Sequence, residues 1–129
     1  MMSAAPDYIE KRVAAVLKAS PAVSDICDGK IYPLKIPQGT TLPCVVYQRV
    51  YSSPDHTLCG YASEGVFLML NCFAMSYEQA KELALAVRGS MAAADCIFQN
   101  ETDLYEENAE TFCVSAEYFC QQHGGYCHG

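Results

Sequence analysis

At 129 residues, 51% of them hydrophobic, the chain is long enough to bury a core of its own and too apolar to stay disordered. Its formal net charge of −7, from 8 basic and 15 acidic residues, excludes a dedicated nucleic-acid binder, because phosphate affinity rests on clustered Lys and Arg. No apolar run reaches the roughly 18 residues of a membrane span, and the N-terminal MMSAAPDYIEKR lacks the basic-then-apolar plan of a secretory signal, so the expectation is an intracellular protein with no membrane partner.

The spacing of Ile9, Val13, Val16 and Leu17 predicts a first helix over Pro6 to Ala19, with Pro6 in its first turn. Ser20-Pro21 stops it, because the residue before a proline is pushed out of helical geometry. A short helical turn over Ala22 to Asp28 follows, closed by Gly29. Ile31-Tyr32 opens an extended segment limited by Pro33, and Pro37, Gly39 and Pro43 make the next stretch a loop. Cys44 to Tyr51 alternates as a strand does, with Val46 and Val50 on one side and Val45, Tyr47 and Tyr51 on the other. Ser52 to Glu64 carries Pro54, Asp55, Gly60 and Ser63 and reads as a loop with a brief strand at Thr57 to Cys59.

Gly65 to Ala74, GVFLMLNCFA, is apolar on both faces, which marks a central strand or one in a subunit interface. Ser76 begins a capping box with Gln79, and the helix it starts buries Ala80, Leu83, Ala84, Val87 and Met91 before ending near Ala93. The last third reads as two strands, Cys96 to Glu106 and Thr111 to Gln121, joined by a turn at Glu107 to Glu110. Phe112, Val114, Ala116, Tyr118 and Cys120 share one face of the second strand, and Cys113, Ser115, Glu117 and Phe119 share the other. The expected domain is 1–121, with 122–129 a flexible Gly-rich tail.

Few residue patterns point to chemistry. Eight cysteines in a chain without an oxidising address read mostly as buried thiols, since free cysteine behaves as a small hydrophobe. Cys120, His123 and Cys127 have metal-like spacing, but the adjacent Cys127-His128 pair is a poor geometry for one ion, and no metal or other cofactor is expected. His56 has no local cysteine or orienting group to make a Cys–His nucleophile. Glu101, Asp103, Glu106, Glu107 and Glu110 sit close together without a basic neighbour in the sequence and read as a solvated hairpin tip, where water keeps carboxylates ordinary. No phosphate-binding loop, dinucleotide fingerprint or His-Glu-x-x-His occurs, so no enzyme is expected. Nine tyrosines and no tryptophan point instead to contact surfaces; Tyr47, Arg49 and Tyr51 are expected to form a stacked anchor on one face.

Taken together, the residues predict an α+β domain in which one mostly antiparallel sheet packs against two main helices. The pattern Ile31-Tyr32-Pro33, the loop Pro37 to Pro43, Val45-Val46-Tyr47-Gln48, Thr57-Leu58, Asn71-Cys72-Phe73-Ala74, Ser76-Tyr77 and the helix with Ala80, Leu83, Ala84 and Val87 resembles the small tail-completion, or tail-terminator, proteins of long-tailed phages. The resemblance covers most of the chain and implies a virion protein made in the host bacterial cytoplasm. It implies a ring, commonly hexameric, at the head-proximal end of the tail tube that ends tube growth and docks the head connector or adaptor; the alternatives are a neck adaptor or minor tail protein of the same particle, or a small Cys/His metal-binding protein. On that reading Gln38 and Thr40 in one loop, and Asp55, His56 and Tyr61 in the other, join Tyr47, Arg49 and Tyr51 as interface candidates, while Glu106, Glu107 and Glu110 face the channel. The abundance of cysteine and the Cys/His tail depart from the family's usual look.

Overall fold

Ile9, Val13 and Leu17 recur every four residues and so fall on one stripe of a helix. In the structure, a computed structural model that describes residues 8–57 and 60–123 (side chains of 53–64 and 122–123 excepted), this stripe is at most 1% exposed on α1, Ile9–Ala19. Pro6 lies outside the described residues. Ser20 ends α1 and caps the next helix: its backbone N–H donates to Leu17 O, and its hydroxyl accepts from Val23 N–H. Pro21 then occupies the first position of α2, Pro21–Cys27, where a missing N–H costs nothing. Asp28 and Gly29, at φ 54° and 72°, turn the chain in the left-handed region into β1, Ile31–Pro33.

The remaining elements are β2 (Cys44–Thr57), β3 (Gly60–Ala74), α3 (Tyr77–Met91), a 3-10 turn (Ala92–Ala94), β4 (Cys96–Glu106) and β5 (Thr111–His123). One five-stranded sheet runs in the order β1-β2-β3-β5-β4, parallel only between β1 and β2. This is the expected α+β class, with α2 a short addition to the two main helices. The apolar Gly65–Ala74 run forms the middle strand. Its Val66, Leu68, Leu70, Cys72 and Ala74 are at most 1% exposed and join Val114, Ala116, Tyr118 and Cys120 in the core that α1 and α3 cover. Phe67, Met69, Asn71 and Phe73 point to the opposite face and are half-buried. Both β5 faces contain the residues expected of them.

Three expectations are corrected. The segment Ser52 to Glu64 is not a loop: Ser52 to Thr57 pairs with Gly60 to Val66 and lengthens the β2–β3 hairpin. Pro54 is tolerated there because β1 covers only Val45 to Tyr47, leaving β2 an edge farther along. A bulge between Arg49 and Tyr51 reverses the alternation, so Tyr51 pairs with Phe67 on the Val46 face and not on the Tyr47 face. Finally, β5 continues to His123, two residues into the stretch expected to be a loose tail; residues 124–129 lie outside the described ones.

Candidate functional site

The strand register sorts the candidate residues to opposite ends of the sheet. At one end, the loop after β1 and the β4–β5 turn flank a cleft of about 440 Å³ on the sheet face away from the helices. Ile36, Leu42, Phe73, Leu104, Tyr105 and Ala109 give it a mostly apolar lining, with Asn71, Glu106, Thr111 and Cys113 at its polar positions. Lys30 Nζ pins the loop by donating to Thr41 O at 2.9 Å, and Leu34, at φ 67°, is held by its N–H to Tyr47 O at 2.9 Å. A branched side chain rarely adopts that conformation, yet Leu34 is 72% exposed, so no burial repays the strain. Gln38 is exposed and Thr40 half-buried in this loop. At the other end, the β2–β3 hairpin carries Asp55, His56 and Tyr61, with His56 opposite Tyr61; their side chains lie outside the described ones.

The acidic segment divides in two. Glu106, Glu107 and Glu110 are exposed at the turn, on the cleft end. Glu101 and Asp103, which have no basic neighbour in the sequence, do have partners in space. Lys81 Nζ lies 2.9 Å from Glu101 and 2.7 Å from Asp103, Arg88 lies 2.9 Å from Glu101, and Tyr77 Oη donates to Asp103 at 2.7 Å. The Lys81 and Tyr77 hydrogen bonds hold the Asp103 carboxyl below its ordinary value, and the two carboxylates raise Lys81. Arg88 also stacks over Phe98 at 3.7 Å from the ring centre. This network fastens α3 to β4, an outer strand of the sheet. The sequence shows Lys81 and Arg88 only as polar positions of this helix; the strand positions they meet are not visible in it.

The expected Tyr47–Arg49–Tyr51 anchor does not form. Arg49 faces the helix side and makes a two-point ion pair with Glu10 of α1, at 2.9 and 2.7 Å. Tyr51, turned by the bulge, stacks on Phe67 at 4.6 Å on the open face, and Phe67 meets Phe119 at 5.1 Å. The metal candidate is also corrected at Cys120: it is buried and disulfide-bonded to Cys96, its direct cross-strand partner, so its sulfur is not a ligand. His123 is the last residue of β5, and Cys127 lies outside the described residues. No group of three or more His, Cys, Asp or Glu among the described residues is placed to hold a metal ion. Cys27, Cys44, Cys72 and Cys113 are buried free thiols, as expected of core cysteines.

The described residues form one sheet with helices on one face and the other face open, with the loop after β1 and the β4–β5 turn at one end and the β2–β3 hairpin at the other. The chain belongs to the family of tail completion protein gp17, whose sequence profile matches residues 11–118. It is therefore a structural protein of the head–tail region. Among solved structures, a chain of "Virion of native gene transfer agent (GTA) particle" has the same fold, with a TM-score of 0.69 over 87% of this chain and 92% of that one, at 14% identity. No curated protein sequence matches the chain. No described helix is long and apolar enough to cross a membrane.

Proposed function

We propose that the protein closes into a hexameric ring on the head-proximal end of the tail tube, ends tube polymerisation and joins the tube to the head connector or an adaptor. The observation that carries this reading is that two candidate docking segments, the loop after β1 and the β2–β3 hairpin, lie at opposite ends of one sheet. A terminator needs that arrangement, because it must bind the tube below and the head above at once. Family membership and the fold shared with a chain of a gene transfer agent virion support it. On this reading the work is done by interfaces and by no catalytic group. The protein is made in the bacterial cytoplasm and ends in the virion, and Glu106, Glu107 and Glu110 face the channel, where like charge keeps DNA from sticking.

Particles assembled without the protein test the reading. Electron microscopy should show tubes of irregular, excessive length and unjoined heads. Tubes of normal length lacking heads would favour a neck adaptor instead.

A further inference from the structure

We propose that Cys96 and Cys120 form a thiol–disulfide exchange site, open to small thiols and disulfides such as glutathione, whose closed form locks β4 onto β5. The proposal goes beyond the terminator reading and stands whether or not copies form a ring. The two cysteines face each other directly across β4 and β5, with Cα atoms 4.4 Å apart. That is the ordinary spacing of a non-hydrogen-bonded cross-strand pair, so joining the sulfurs asks no movement of either strand. The reduced form is provided for as well. Ile97 opposite Phe119 and Phe98 opposite Tyr118 hold the register without the bond, and both cysteines lie in the core. Cys96 Sγ is 3.5 Å from Ala94 O, which accepts from it when it is a thiol. One site thus accommodates two states that differ by two electrons.

The surroundings set this pair apart from Cys27, Cys44, Cys72 and Cys113, which are buried free thiols that burial keeps protonated. Beside the pair lies a cavity of about 290 Å³ lined by Asp95 and Ile97, the chain neighbours of Cys96, by Phe119 and Gln121, the chain neighbours of Cys120, and by Arg12 of α1. Arg12 donates to Ala94 O at 3.2 and 3.0 Å, the same oxygen that Cys96 Sγ approaches, and to Gln121 O at 3.3 Å. Its guanidinium therefore bridges the carbonyls that flank the two cysteines. A cation there favours the thiolate that exchange needs and draws a carboxylate-bearing partner such as glutathione. Cys96 Sγ attacks one sulfur of oxidised glutathione, and the first glutathione leaves as a thiol. Cys120 Sγ gives up its proton and attacks Cys96 Sγ, and the second glutathione leaves. The protein loses two electrons and two protons, and both end on the two released thiols.

Exchange is measured in a Cys59→Ser, Cys127→Ser background. The protein is reduced with dithiothreitol, freed of it and mixed with oxidised glutathione at mildly alkaline pH; samples are alkylated at intervals and mapped by mass spectrometry. Cys96 and Cys120 should close to one intramolecular disulfide about tenfold faster than any of the other four thiols reacts, because a raised thiol loses more in thiolate than it regains in nucleophilicity. Cys120→Ser should instead retain one glutathione on Cys96; a bare Cys96 there would exclude it as the attacking sulfur. Arg12→Gln should slow closure several-fold and Arg12→Lys restore it, and a rate unchanged in Arg12→Gln would remove the arginine from the site. Circular dichroism should show the reduced protein folded, and closure should raise its thermal midpoint by roughly 5–10 °C, as a bond across a sequence separation of 24 implies. Reduced protein that is unfolded would overturn the proposal, since the bond would then be a condition of folding and not an exchanging group. Folded reduced protein in which the pair reacts no faster than the other four thiols would overturn it equally, and closure without a thermal shift would refute the lock. None of these outcomes bears on tube termination.

Discussion

Cys44, Cys72 and Cys113 show how burial turns a reactive residue into a packing one. Burial pushes the Cys44 and Cys113 thiols up to about 11 from an ordinary 9.0 and raises Cys72 well above it. Neighbouring thiols add to the shift at each, and Lys30 partly offsets it at Cys44. A folded-state value above the unfolded one means the native protein holds a proton that the unfolded chain releases. The stability these thiols contribute is therefore complete below pH 9 and declines between about pH 9 and 11. Urea midpoints should fall from pH 8 to pH 10, and fall less in a Cys44→Ala, Cys113→Ala variant once each is referred to its own pH 8 value. Equal drops in the two proteins would show that other groups govern the loss. Tyr118, raised by burial, acts in the same direction in both proteins and so cancels from the comparison. Cys96 and Cys120 escape this logic because their disulfide removes both protons and fastens the first residue of β4 to β5.

At the scale of elements, α3 was legible because its signals are local. Ser76 stands before a helical period of Ala80, Leu83, Ala84 and Val87, and its hydroxyl accepts from Gln79 N–H at 3.2 Å. Ser76→Ala leaves that donor to water and should cost about 1 kcal/mol of unfolding free energy, with the denaturant slope unchanged. A loss below about 0.3 kcal/mol in a urea titration would mean the cap is redundant with packing. The features that escaped the sequence are relational. The bulge at Val50 inserts one residue and leaves no compositional mark, yet it sends Tyr51 to the other face and dissolves the expected Tyr–Arg–Tyr anchor. The β2–β3 hairpin hid behind Pro54, Gly60 and Ser63: Pro54 sits where β2 is an edge, which accepts a residue that a central strand rejects, and Gly60 lies at the hairpin end, beyond the stretch of β3 that β5 pairs. Cys96 and Cys120 are 24 residues apart, and Lys81 meets Glu101 across 20; both pairs needed the register of β4 before they could be recognised. The family resemblance was readable since its residues are fold-bearing and local: Ile31-Tyr32-Pro33 is β1, and Asn71 to Ala74 ends the middle strand. The cleft was not, because it is made by three segments that meet only in the folded chain.

Across the whole molecule, the decisive property is polarity along the strands. The β1–β2 loop and the acidic turn share one end, and the hairpin with Asp55, His56 and Tyr61 projects at the other, with the core between them. Surface substitutions away from caps and cores usually shift stability by no more than about 0.5 kcal/mol, so a variant whose thermal unfolding matches that of the wild type reports on docking and not on folding. If one end binds the tube and the other binds the head, two variants should fail differently. Gln38→Glu with Thr40→Glu alters only the cleft end; Asp55→Lys with Tyr61→Ser alters only the hairpin end. One variant should yield particles with tubes of uncontrolled length, because the growing tip is not recognised. The other should yield tails of normal length that never acquire heads, because termination succeeds and docking does not. Electron microscopy of the two particle populations distinguishes these outcomes, and mixing each with purified wild-type protein should restore the missing step only for the tube-binding variant, whose place on the tip remains free. Identical defects from both variants would mean that the two ends serve a single contact, and the division of labour along the strands would have to be abandoned.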